Sequence, residues 1–313
     1  MVNYLVVGAE TVVGANLAAY LTEHLSDATV DILSSQAVSI AGCRSHNGSP
    51  ATLEEAAQWI GQLSSQHVVL CGPAALSSWE TDEANIDQTV VQQAAAWAAA
   101  CQSVGVQFTF VSSDAVFTGP WMFHEEDSTG KCPSAAGSIL REAEQQVLAA
   151  CPEALVVRTN AFGWSPRGEA GWIERQLQQL RTQRFADQDF VRHATPILAT
   201  DLAGILVRAW SEGLSGVHHI AGAERISPLR FVQRLAEQYQ LPWLSLRRSE
   251  ALQERAVGFG AGECSLQTKR IRKAVCVAMP MISESLGRLV EQDQTGFRAK
   301  LCQTGETRRD RVA

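Results

Sequence analysis

Between residues 4 and 158, short apolar runs alternate with longer stretches whose apolar residues recur at helical spacing. No other feature restricts the fold so strongly. The apolar runs are YLVVG (4–8), residues 29–33, HVVLC (67–71), VQFTFVS (106–112) and ALVVR (154–158). Helical spacing falls between them at 11–25, 53–63, 84–101 and 138–150. Such alternation predicts an α/β fold, a doubly wound parallel sheet with helices on both faces. Ligands of these sheets sit beyond the carboxyl ends of the strands, where strand order reverses. The end of the 106–112 strand is therefore a candidate site by topology alone.

After Arg158 the regularity fades. Gly163, Pro166, Gly168 and Gly171 mark a loop, and helices are expected at 172–184 and 200–210. A strand is expected at 216–222, and Ser227 with Pro228 reads as the capped start of a helix running to about Tyr239. The formal net charge of −7 over 313 residues argues against a nucleic-acid surface. None of the eight cysteines forms a CxxC pair, so neither zinc nor a redox pair is indicated. Cys71 and Cys101 read as small buried hydrophobes. The opening MVNYLVVGAE has no basic n-region and reads as a strand, not a signal peptide. With no membrane-length apolar run, a reducing cytoplasm is the expected compartment.

Residues 111–144 read VSSDAVFTGPWMFHEEDSTGKCPSAAGSILREAE. They resemble the extended short-chain dehydrogenase/reductases, within them the dTDP-4-dehydrorhamnose reductase (RmlD-like) branch. That branch has a strand ending Ser-Thr-Asp-Tyr-Val-Phe-Asp-Gly, an acidic loop, then Tyr-Gly-x-Ser-Lys opening a helix that continues to a Glu. Ser112, Ser113, Asp114, Val116, Phe117 and Gly119 fit the first piece; Glu125, Glu126 and Asp127 fit the loop; Gly137 and Glu144 fit the last. Ala136 stands where the Tyr belongs, and Leu140 where the Lys belongs. HATPILATDLAG (193–204) and CSLQTKRI (264–271) extend the likeness to about Gln292. The resemblance implies a Rossmann-type nucleotide domain over 1–160, completed by 194–222. It implies a small C-terminal substrate lobe from 161–193 and 223–295. Residues 296–313 read as a polar tail, mobile from Arg298 onward.

The resemblance gives Gly8-Ala9-Glu10-Thr11-Val12-Val13-Gly14 the place of a Gly-x-x-Gly-x-x-Gly nucleotide turn. The outer glycines permit the tight turn, and the middle one admits the pyrophosphate to the helix N-terminus. Thr11 in the middle fills space a phosphate would use, and Glu10 opposes an anion. Gly8, Thr11, Val12, Val13 and Gly14 are thus candidate cofactor residues. Alternatively, the two glycines serve backbone packing alone. The strand at 29–33 ends in Leu33-Ser34-Ser35, without the acid that would hold an NAD ribose. Ser34 takes that place, and Asp31 lies inside the strand. Arg44 either meets a 2′-phosphate or is a solvated loop residue, so NADP is expected over NAD if either binds. The resemblance further places Ala74, Ala75, Asn85 and Ser112 beside the cofactor. It places Ser113, Val116, Phe117 and Ala161 beside the substrate.

Carbonyl reduction needs a proton for the developing alkoxide. In the family the Tyr supplies it, a Lys on the same helical face lowers its pKa, and a Ser or Thr binds the substrate oxygen. Ser113 remains; Ala136 and Leu140 can do neither job. Of three tyrosines, Tyr4 lies in the first strand, Tyr20 in the first helix and Tyr239 in the C-terminal lobe. Lys131 alone precedes Lys269, and it reads as a solvated loop residue. Leu140 falls on an apolar stripe with Ile139, Ala143, Val147 and Leu148, while Glu144 suits Arg141 as a surface partner. Asp114 and His124 are the substitute acids; the loop acids Glu125, Glu126 and Asp127 read as solvated, and His218-His219 as structural. The reading preferred on these grounds is a catalytically silent family member that binds a nucleotide or nucleotide-sugar, or a protein partner, a second copy included. The regulatory subunit of methionine adenosyltransferase shares this architecture and acts by association. The alternatives are an active NADP-dependent nucleotide-sugar reductase or epimerase with a rebuilt acid, and a scaffold without a small ligand. No metal is expected.

Overall fold

Successive residues of the first strand serve opposite cores. In β1 (Val2–Val7), Leu5 and Val7 pack under the helices of one face, while Val6 packs under those of the other. A strand covered on both sides loses the polar–apolar alternation of a half-exposed one, which is why these runs are apolar throughout. The computed structural model describes residues 2–80, 83–166, 171–184, 188–244, 246 and 259–302.

The order is β1, α1 (Val12–His24), β2 (Ala28–Ser34), β3 (Arg44–Asn47), α2 (Leu53–Leu63), β4 (His67–Leu70), α3 (Gln88–Val104), β5 (Gln107–Ser113), α4 (Ala135–Ala150) and β6 (Leu155–Thr159). There follow β7 (Ala161–Phe162), α5 (Trp172–Thr182), β8 (Ile197–Leu198), α6 (Ala199–Ser211), β9 (Gly216–His219), α7 (Pro228–Gln238), α8 (Lys269–Val275), α9 (Ile282–Gln294) and α10 (Phe297–Lys300). Seven strands form one parallel sheet in the order β3-β2-β1-β4-β5-β6-β9, and β7 pairs with β8 separately. This is the doubly wound, Rossmann-like α/β sheet expected. Helices α2, α3 and α4 cover one face. Helices α1 and α6 cover the other, in one core with Phe231, Leu235, Ile271 and Leu286 of α7, α8 and α9.

Local chemistry sets the helix ends. The Thr52 hydroxyl accepts from the Glu55 amide, whose carboxylate in turn accepts from the Thr52 amide, so α2 opens with a capping box. Ser227 caps α7 with Pro228 in the first turn, as the sequence predicts. Helix α3 starts later than its apolar spacing suggests, because the Asp87 carboxylate accepts from the Thr89 amide and caps it there. The chain beyond 296 does not begin as a solvated tail. Phe297 and Leu301 are buried, the Lys300 carbonyl accepts from the Ala41 amide, and Lys300 pairs with Glu23. Residues 303–313 lie outside the described residues. Among the described residues no helix is long and apolar enough to cross a membrane, and no cluster of ligating side chains could hold a metal.

Candidate ligand cleft and the buried catalytic position

A cleft of about 690 Å³ opens beyond the carboxyl ends of β1, β2 and β4. Thr11, Val12 and Val13 line it from the glycine turn, Ala75 and Asn85 from the segment after β4, and Ala161 from β7. The two outer glycines answer to backbone contact. Gly8 has φ +83°, and a Cβ on it would stand 2.8 Å from the Cys71 carbonyl; one on Gly14 would stand 2.4 Å from the Gly8 oxygen. Thr11 turns its hydroxyl into the fold. Its Oγ1 lies 2.7 Å from both the Gly8 and Cys71 carbonyls and accepts from the Gly14 amide at 3.0 Å. The middle residue of the turn is therefore the N-cap of α1, and it occupies one of the helix N–H groups itself.

Several candidates stand elsewhere. Ser34 donates to the Gln36 carbonyl, and its neighbours Ser35 and Gln36 line the cleft instead. Ala74 is buried in the α2–α4 core. Arg44 is not a loop residue awaiting a 2′-phosphate. It sits in β3, where its Nε and Nη2 bond both oxygens of the buried Asp31 at 2.9 and 2.5 Å, and His46 adds a third contact. An edge strand of polar residues thereby satisfies a carboxylate inside β2. Glu10, the carboxylate the sequence places beside the turn, lines the cleft too. Sequence reasoning missed Glu80, and Trp172 and Arg175 of α5, which also line it. Trp172 packs against Trp79 and Phe231.

Ser113 and Asp114 do not stand at a cleft mouth. Both are fully buried. Ser113 Oγ accepts from the Ala115 amide at 3.0 Å and donates to Asp114 at 3.3 Å. Asp114 accepts from the Ser78 amide (3.0 Å), the Ser78 hydroxyl (2.7 Å) and Asn160 Nδ2 (2.8 Å). Burial outweighs these donors and pushes its carboxyl up to about 6. The segment 259–268 closes this position from outside. Gly260 lies so near Ser78 that a Cβ would meet its carbonyl oxygen at 2.0 Å. Thr118 Oγ1 donates to the Ala261 carbonyl, and the Cys264 thiol to that of Phe117. Contacts made 140 residues away in sequence are what remove Ser113 from reach, so no local pattern could have foretold them.

The α4 helix confirms the apolar stripe and corrects its flank. Ala136, Leu140, Ala143 and Val147 are all buried in one core, with Ile139 and Leu148 packed at its edge. Glu144 is not a surface partner of Arg141. It lies one turn beyond Leu140 on the same inward face, where Arg158 of β6 grips both its oxygens and Ser112 donates to it at 2.6 Å. Arg141 instead donates to the Cys132 carbonyl at 2.7 Å. Ser112 is thereby committed to Glu144. Val116 and Phe117 are core residues; Phe117 stacks on His124 and lies under the Arg158 guanidinium. His124 is not a solvated acid. Its ring is buried, Nε2 faces the Glu263 carbonyl at 3.1 Å, and desolvation lowers its pKa. Glu126 is held as well, accepting from the His219 amide at 3.2 Å.

Immediately inside the cleft, a second and much smaller hollow carries two unpartnered polar atoms. Asn160 Oδ1 and Trp79 Nε1 have no hydrogen-bond partner, both residues are buried, and both line this hollow with Ala161 and Trp172. One acceptor and one donor at a common space suit a hydroxyl group.

A doubly wound parallel sheet, a glycine turn into the first helix and a cleft beyond the strand ends define the Rossmann class of nucleotide-binding architecture. Within that class, the RmlD substrate binding domain family model matches residues 2–294, and the chain belongs to that family. Solved structures agree on the fold. The dTDP-4-dehydrorhamnose reductase of Bacillus anthracis, in complex with NADP, superposes with a TM-score of 0.75 at 17% identity, covering 93% of this chain and 100% of the other. The dTDP-glucose 4,6-dehydratase of the same organism, in complex with NAD, gives 0.76 at 12%, covering 94% and 97%. The UDP-glucose 4-epimerase of Thermotoga maritima, with UDP-glucose, gives 0.75 at 15%, covering 94% and 99%. No curated protein matches the sequence.

Proposed function

We propose that this chain is a catalytically silent member of the RmlD family, which holds a nucleotide-type ligand in its cleft and acts as a binding or regulatory protein. One observation carries the reading. At the two positions where the family resemblance calls for Tyr and Lys, Ala136 and Leu140 are packed into an apolar core, and the remaining Ser113 is buried with its hydroxyl committed. A hydride acceptor would find neither a proton donor nor a free hydroxyl there. None of the three tyrosines lines the cleft. Tyr4 stacks on His67 and packs at a tilt against Trp210, Tyr20 stacks on His24, and Tyr239 is at the end of α7.

Incubation with NADPH or NADH and a 4-keto nucleotide-sugar tests this. The expected result is no cofactor oxidation, alongside saturable ligand binding followed through the fluorescence of Trp172 and Trp79. Steady turnover would sink the reading. A second reading, an active reductase with a rebuilt acid, has one observation in its favour: a carboxyl with a pKa of about 6 is suited to proton transfer near neutrality, and Asp114 has one. It requires that the 259–268 segment open. Turnover abolished by Asp114→Asn would establish it.

A further inference from the structure

The acid missing from the end of β2 is supplied from another part of the chain. Glu10 belongs to the glycine turn, yet its carboxylate lies at the carboxyl end of β2, where Oε1 accepts from the Ser35 hydroxyl at 2.7 Å. Glu10, Ser35 and Gln36 line the same cleft wall. The other oxygen, Oε2, is shielded from solvent and has no hydrogen-bond partner. A shielded carboxylate oxygen without a donor is costly, and a ligand hydroxyl would satisfy it. In nucleotide-binding sheets of this topology, an acid at the end of the second strand accepts from the ribose 2′-hydroxyl. The sequence lacks that acid at 34 and 35; the folded turn provides one from residue 10.

We propose that Glu10 is the ribose acceptor of this cleft, and that the ligand is a ribonucleoside with a free 2′,3′-diol. The inference rests on the reading that the cleft holds a nucleotide-type ligand, and it reverses the preference for NADP drawn from Arg44. A 2′-phosphate would meet the Glu10 carboxylate as like charge against like charge. Arg44, the cation the sequence offers for it, is engaged by Asp31. Arg175 and Glu80, also in the lining, offset each other in formal charge, leaving Glu10 and Asp87 and hence a negative wall. The diol can arrive on a free nucleoside or on a dinucleotide.

Calorimetric titration of the full chain with adenosine, 2′-deoxyadenosine, NAD⁺ and NADP⁺ separates the possibilities. Adenosine should bind about tenfold to a hundredfold more tightly than 2′-deoxyadenosine, and NAD⁺ should exceed NADP⁺ by a similar factor, since a hydrogen bond to a charged group is lost in each case. Adenosine binding above NAD⁺ identifies a free nucleoside as the source; the reverse order identifies a dinucleotide. In Glu10→Gln, and more weakly in Ser35→Ala, the NAD⁺ to NADP⁺ ratio should fall toward unity while the melting temperature stays near that of the parent. Binding without discrimination, or NADP⁺ binding as tightly as NAD⁺, overturns the inference but leaves a nucleotide cleft. No binding of any of the four at millimolar concentration overturns both.

Discussion

At the scale of single residues, the decisive groups are carboxylates whose partners lie far along the chain. Asp114 has four donors, which would ordinarily hold a carboxylate ionised, but complete burial costs the charged form more than they return. The direction of the linkage follows. The folded state keeps a proton that the unfolded chain releases from its ordinary value of 3.8 upward, so this group's contribution to stability is full below that value and declines as pH rises through about 6. The shift corresponds to about 3 kcal/mol. Urea unfolding of the parent and Asp114→Asn at about pH 4.5 and about pH 7.5 checks it. The advantage of the parent over the variant should shrink toward the higher pH by about 2 kcal/mol. An advantage that is constant or grows with pH would mean that Ser78 and Asn160 keep the carboxyl ionised after all. Glu144 meets burial differently, by a two-point contact with Arg158.

At the scale of elements, α4 shows what has become of the family's reactive face. Restoring the two residues does not restore the geometry. Ala136→Tyr places a ring where 6% exposure leaves almost no room, an overpacking that costs about 1–3 kcal/mol. Leu140→Lys sets an amine among Val147, Ala143 and Trp97, where its charged form is disfavoured. The double variant should therefore melt lower than the parent and should not oxidise NADPH in the presence of a 4-keto nucleotide-sugar. The Thr11 cap, which takes the Gly14 amide, is also untouched. Measurable turnover would show that the packing obstacle is overrated here. This element was largely legible beforehand, because its apolar stripe is local and periodic. The same holds for α2 and α7, whose caps Thr52 and Ser227 are adjacent to their apolar spacing. What escaped was not periodic. Strand β3 is the polar run Arg44–Asn47, held at the sheet edge by ion pairs to Asp31 and not by apolar burial. Strands β7 and β8 are two residues each. Of the candidate residues, Thr11, Val12, Val13, Ala75, Asn85 and Ala161 come together along one cleft. Ser112, Ser113 and His124 are buried instead, because their exposure is decided by Glu144, Ser78 and the 259–268 segment.

At the scale of the whole molecule, the sheet cannot be completed by the first half of the chain. Strand β6 has β5 on one side and β9 on the other, with Leu155 to Arg158 in register with Gly216 to His219. Helix α1 likewise buries Leu17 and Leu21 in a core that includes Leu202 and Leu206 of α6. Both covering elements follow the 161–193 excursion, and that same core continues into α7 and α9. The stretch 1–160 therefore depends on the 194–222 segment that the sequence assigns to the same nucleotide domain, and is not an autonomous unit by itself. Cut off at 160, it would expose an apolar strand edge, which invites association with other chains, and an uncovered helix face. A fragment of residues 1–160 should show no cooperative urea transition by circular dichroism and should associate in solution, whereas residues 1–302 should unfold in one transition. A monomeric 1–160 fragment with its own cooperative transition would show that β9 and α6 are accessory. The expected outcome bears on the function as well. Cleft residues Trp172 and Arg175 come from the later lobe, while Glu10 and Thr11 come from the first turn, so a ligand seated between them stabilises the fold as a whole.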